Sequence, residues 1–221
     1  RTTSITLPTS NQMQSITDIE QAVVGACMLE PRYAQIQAIL KPDNFSCKDC
    51  RIVYRAIGEL YPTAKIDFLT VTKRLEITGE IEQLKHGAYS VTSMANRVAS
   101  AANIEHHALL VLQEAIVREF ADMLMSWANN VEGDILKVSF LESYTAVGPN
   151  RSIDPLELAD AFPRILLRLG APQECIDEFT EFSQMVNTRI QAAKKFTVPN
   201  TILTHLVQLS YTTPDSASTS V

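Results

Sequence analysis

The stretch between Ile104 and Val131 constrains this chain most. Asn103 stands where a helix cap belongs, and neither Gly nor Pro interrupts the run before Gly133. A helix of that extent is about 40 Å long at 1.5 Å per residue. Its apolar side chains include Leu109, Leu110, Val111, Leu112, Ile116, Val117, Phe120, Leu124 and Trp127. Glu114, Arg118, Asp122 and Ser126 recur at i, i+4 spacing and make one narrow polar stripe. A helix on the surface of a globular protein has a single apolar face. This one is apolar around most of its circumference, so its own domain must cover one side and something else another.

Gly133 breaks the pattern and "DILKVSFLESYTAV" resumes it, so residues 104–148 are expected to form a helical hairpin. Two kinds of cover are open to it. A second copy of the chain would pack on Val117, Phe120, Leu124, Trp127, Val131 and Ile135, the expected oligomer interface. Burying four large apolar side chains per copy gives roughly 6–12 kcal/mol, against roughly 4–15 kcal/mol for association. Alternatively, the residues after Gly148 fold back over the same face.

The rest of the chain also reads as helices, with weak strand evidence throughout, so the fold class is all-α. Residues 1–16 are polar and read as a flexible arm. "TDIE", Thr17 to Glu20, is a capping-box pattern that predicts a helix start, and Gly25 inside that helix predicts a close helix–helix approach. Ser46 is positioned to cap a helix from Cys47 to Tyr61, and Asp67 one that ends before Gly79. Residues 17–103 make the head. Beyond "GPNRS", residues 151–210 read as a helical C-terminal region: Asp154 starts a helix interrupted at Pro163 and closed at Gly170, Pro172 opens a long amphipathic one, and a short one spans Ile202 to Leu209. Residues 211–221 are a polar tail.

Charge narrows the function. The net charge is −6 and the pI about 5.3. An acidic chain whose longest basic runs are pairs such as Lys194-Lys195 is unsuited to tight direct nucleic-acid binding, which needs clustered Lys and Arg. No stretch approaches the length of an apolar membrane span. Four cysteines without disulfide-like spacing suggest a reducing, cytoplasmic setting.

Cys47 and Cys50 form a C-x-x-C pair in the first turn of a helix. Redox chemistry of this kind usually follows a strand, and a zinc site needs two further ligands. "LKPDNF" before the pair is a turn, Cys175 is isolated, and His86, His106, His107 and His205 are scattered. Packing cysteines are therefore expected, with a thiol or metal protein using Cys47 and Cys50 as the alternative; no metal, cofactor or catalytic residue is assigned. The acidic clusters Asp154, Glu157, Asp160 and Glu174, Asp177, Glu178, Glu181 read as a helix start and a solvated face.

Five segments in order carry a resemblance: "DIEQAVVGACML", "LKPDNF", "RIVYRAIGEL", "KIDFLTVTKRLEITG" and "AANIEHHALLVLQEAIVRE". Together, from about Thr17 to Glu119, they resemble the N-terminal domain of DnaB-type replicative DNA helicases. Cys50 falls where that family often has His, His86-Gly87 where Gly-Gly is frequent, and His107 where Tyr is common. The resemblance implies a helical head and a hairpin that pairs subunits into a collar, a docking platform for primase and loader proteins. It also implies a separate motor with a G-x-x-x-x-G-K-[ST] phosphate loop, and no Gly-Lys pair exists in this chain.

The expected function is thus a non-catalytic assembly and partner-docking module of a replication complex, binding itself and a primase, loader or helicase. The alternative is the N-terminal piece of a complete helicase; the ending "DSASTSV" favours a natural terminus.

Overall fold

The computed structural model describes residues 10–30, 32–98, 102–147 and 154–194. Those residues form α-helices and two short 3-10 turns, with no strand among them. The head comprises α1 (Ser10–Leu29), α2 (Tyr33–Ile36), α3 (Lys48–Leu60), α4 (Phe68–Thr78) and α5 (Ala88–Asn96). The hairpin is α6 (Ile104–Asn130) with α7 (Asp134–Val147), and the last pair is α8 (Pro155–Leu169) with α9 (Gln173–Lys194). The helix expected at Ile202–Leu209 and the tail 211–221 lie outside the described residues.

In the head, α1 lies against α5, α6 and α3. Gly25 makes the contact with α5 possible. A Cβ there would sit 2.1 Å from the Met94 carbonyl oxygen and 2.8 Å from Val98 Cγ2, so a hydrogen is all the site holds. Around this contact Val23, Val24, Phe45, Val53, Tyr54, Ile57 and Leu75 are buried in one continuous core. The Tyr54 hydroxyl donates to the Leu40 carbonyl at 3.3 Å, which satisfies its polar end inside the core. Helix α4 begins as expected: the Asp67 carboxylate accepts from Thr70 N–H at 2.8 Å, and the Thr70 hydroxyl accepts from Asp67 N–H at 3.0 Å. It ends at Gly79, whose φ of 72° closes the helix in the left-handed region.

Four local expectations are corrected. Helix α1 starts at Ser10, so the arm boundary at residue 16 and the Thr17–Glu20 capping box both give way to continuous helix. The Ser46 hydroxyl does not accept from the start of α3; it donates to Glu20 Oε1 at 2.8 Å. Asn103 precedes α6 without a side-chain cap. Pro163 does not interrupt its segment, because α8 runs through it from Pro155 to Leu169. An interior proline costs about 3 kcal/mol. Here Leu158, Phe162 and Leu166 on either side of it are buried and hold the helix in place.

Candidate functional site

Two places bear on function. The first is the apolar face of the hairpin. Helix α6 is fixed to the head by Arg118, whose Nη2 donates to the Asn44 carbonyl at 3.1 Å. On its other side α6 packs against α8 and α9 of the same chain. Phe120 stacks on Phe182, with ring centroids 5.5 Å apart and an interplanar angle of 12°. It meets the edges of Phe162 and Phe179 at 5.9 and 6.1 Å. Phe140 of α7 joins the group at 5.6 Å from Phe162. Offset-stacked and edge-to-face geometries at these separations are the favourable arrangements for aromatic rings. Two polar contacts frame the cluster: Trp127 Nε1 donates to Glu178 Oε2 at 2.6 Å, and Arg189 Nη1 donates to Glu119 Oε2 at 2.9 Å.

Of the residues expected to pair with a second copy, Val117, Phe120 and Leu124 are buried within this chain. Trp127 and Val131 are half-buried, and Ile135 alone stays open, at 76% exposure. Of the two covers open to this face, folding back of the later residues is the one seen at Phe120. The α8–α9 pair surrounds Phe120 with Phe162, Phe179 and Phe182, and Leu124 one turn on is buried too. What sequence reasoning missed was this aromatic spacing: Phe179 and Phe182 lie at i, i+3 on α9 and face one ridge of α6. The acidic cluster Glu174–Glu181 is exposed, as a solvated face, except that Glu178 also serves Trp127.

The second place is the start of α3. Glu20 of α1 is only 1% exposed. Its Oε1 accepts from Ser46 N–H at 2.7 Å and from the Ser46 hydroxyl, and its Oε2 accepts from Cys47 N–H at 2.8 Å. A carboxylate from another helix thus caps α3. Cys47 is the cap residue itself, half-buried, while Cys50 one turn on is fully buried. The Cys50 sulfur lies within 4.8 Å of the Cys47 sulfur, and the Cys50 thiol and the nearby amides of Cys50 and Asp49 act as donors that favour the Cys47 thiolate. These donors outweigh burial and the Glu20 charge, and hold the Cys47 thiol down at about 7. The same hydrogen bond and then burial push Cys50 far upward, and burial lifts Cys27 and Cys175 to about 12.

Glu20, Cys47 and Cys50 bring their ligand atoms within 4.8 Å of one another. A structural zinc site takes four ligands, and both Glu20 oxygens are engaged by hydrogen-bond donors. His106 and His107, with ring centroids 6.0 Å apart, belong to neither place. Among the described residues, no helix is long and apolar enough to cross a membrane.

Comparison with known proteins places the head. Residues 12–113 match the family model described as DnaB-like helicase N terminal domain. The chain is 38% identical over 103 residues to the replicative DNA helicase DnaB of Rhodothermus marinus, covering 46% of this chain and 11% of that protein. It is 35% identical over 103 residues to the replicative DNA helicase DnaC of Bacillus subtilis (strain 168), covering 46% of this chain and 22% of that one. It thus spans less than a quarter of the length of either relative. Among solved structures it resembles the N-terminal domain of DnaB helicase from Mycobacterium tuberculosis, at 25% identity and a TM-score of 0.47 over 59% of this chain and 94% of that one. The five ordered segments and the helical head agree with the family model, and residues 12–113 of this chain match the DnaB-like helicase N terminal domain.

Proposed function

We propose that this chain is a non-catalytic assembly and docking module of a DNA replication complex. Its head engages a replication protein, whether primase, a helicase loader or a helicase, while its hairpin is closed within the chain. The match of residues 12–113 to the family model supports the replication setting. The absence of any Gly-Lys pair from the sequence supports a role without phosphate-loop chemistry. One observation carries the rest: Phe120, central to the face that the resemblance would assign to subunit pairing, packs against Phe162 of α8 and Phe182 of α9 of the same chain, and Leu124 is buried as well. A head whose pairing face is occupied internally is suited to meet an existing complex rather than to build a collar of its own.

The test is titration of the labelled chain with purified primase, loader and helicase from the same organism, read by sedimentation velocity and ATPase assay. Saturable binding to one of them, with no ATP hydrolysis by the chain alone, is the expected result. No binding to any of the three, or a ring of this chain alone, contradicts the proposal. A second reading is that the same domain is the front of a complete helicase, favoured by the small share of each relative that it spans. A phosphate-binding loop encoded in frame beyond Val221 decides for that reading.

A further inference from the structure

The C-x-x-C corner goes beyond the docking proposal and stands independently of it. Cys47 lines a cleft of about 650 Å³ between α1, the start of α3, the end of the 3-10 turn Glu80–Gln83 and α5. Cys50 lies behind it, one helical turn inward and fully buried, its sulfur within 4.8 Å of the Cys47 sulfur. The cleft wall carries Lys48, Lys85, His86 and Arg97. Its one carboxylate, Asp49, is engaged by Lys85 N–H at 3.1 Å and by the Ser90 hydroxyl at 2.8 Å, and Arg97 also pairs with Asp18 at 2.5 Å. The entrance thus carries more cationic than anionic side chains, with a half-buried sulfur in front and a fully buried one behind it.

We propose that Cys47 and Cys50 form a thiol–disulfide exchange site for low-molecular-weight disulfides that carry carboxylates, with Cys47 as the attacking sulfur and Cys50 as the resolving one. The Cys47 thiolate attacks one sulfur of the incoming disulfide. A new S–S bond forms, the old one breaks, and the departing thiolate takes a proton from water. Cys50 then gives up its proton to solvent, attacks the Cys47 sulfur and expels the second thiolate. The protein loses two hydrogens and becomes the Cys47–Cys50 disulfide; one small disulfide is reduced to two thiols.

The geometry supplies each step with a reason. The Cys50 thiol and the amides of Cys50 and Asp49 stabilise charge on Cys47, against burial and the opposing Glu20 carboxylate, and Lys48 and Lys85 at the cleft favour a carboxylate-bearing reagent. The hydrogen bond to Cys47 is the largest influence keeping Cys50 protonated. Converting Cys47 to a mixed disulfide removes that charged acceptor and frees Cys50 to ionise. A thiol held near 7 rather than 9.0 is about half thiolate at neutral pH, and after the lower intrinsic nucleophilicity of such a thiolate it reacts roughly fivefold to tenfold faster than an ordinary cysteine.

The experiment uses the full chain with oxidised glutathione, and cystamine as the cationic counterpart, followed by intact mass and peptide mapping. The wild type should pass through a glutathione adduct at Cys47 to a product lighter by two hydrogens. Cys50→Ser should stop at the adduct, and Cys47→Ser should give neither. Lys48→Glu with Lys85→Glu should slow oxidised glutathione by about tenfold more than cystamine, by reversal of two favourable charges. Because Cys47→Ser disturbs a cap residue, iodoacetamide labelling of the unaltered chain is a second arm. Its rate at Cys47 should titrate near 7 in the folded protein and near 9.0 when denatured. A folded-state titration as high as the denatured one, an adduct first at Cys50, or oxidation of Cys50→Ser without a lasting adduct overturns the proposal.

Discussion

Arg189 of α9 donates from one nitrogen, Nη1, to both carboxylate oxygens of Glu119 on α6, at 3.1 and 2.9 Å, and so ties the last described helix to the middle of the long one. Their side chains keep 27% and 33% of their exposure. The pair therefore orients α9 more than it stabilises the fold. A double-mutant cycle with Glu119→Gln and Arg189→Gln, read by urea denaturation, is expected to give a coupling of about 0.2–1 kcal/mol, weaker in high salt.

The aromatic cluster beneath that ion pair carries the energy. Phe162 is fully buried and contacts Phe120, Phe140 and Phe179. Phe162→Ala is expected to cost about 3–5 kcal/mol in chemical denaturation. Phe120→Asp puts a charge into the same cluster and is expected to lose the cooperative unfolding of α6–α9. It is not expected to act by dissociating an assembly, so its mass by light scattering should not fall below that of the wild type.

How much of this was legible in the chain divides along one line. Features that depend on neighbours in sequence were: Asp67 as a cap, Gly79 and Gly170 as left-handed closures, and the hairpin break at Gly133, whose φ is 106°. The over-apolar character of α6 was legible too. Which surface covers it was not, because pairing with a copy and folding back on itself bury the same residues and leave the same pattern. Glu20 makes the same point: three residues after Thr17 it mimics a capping box, yet its real partners, Ser46 and Cys47, are distant in the chain. At the dithiol corner the spacing was visible, but the cleft beside Cys47 needed α5 brought next to α3.

Gly25 gives a prediction with opposing contributions. Gly25→Ala gains about 1 kcal/mol of helix propensity. The added Cβ would lie 2.1 Å from the Met94 carbonyl oxygen, and forcing α1 and α5 apart costs about 1–3 kcal/mol. Net destabilisation, seen as a lower thermal midpoint, is expected.

Glu20→Gln keeps the shape of the cap and changes its chemistry. An amide has one acceptor oxygen, so its nitrogen must face either the Ser46 or the Cys47 N–H, donor against donor. The loss is expected to be about 1–3 kcal/mol, with faster hydrogen exchange confined to the first turn of α3.

The internal cover of the hairpin is tested most directly by isotope-filtered NMR on an equal mixture of labelled and unlabelled chains, unfolded together and refolded. In a uniformly labelled sample the Phe120 and Phe182 rings, stacked with centroids 5.5 Å apart, should show a strong mutual NOE. In the filtered spectrum of the mixture, which reports only contacts between different molecules, that cross-peak should be missing. Its appearance there would mean that a second chain supplies the cover, and would contradict the account.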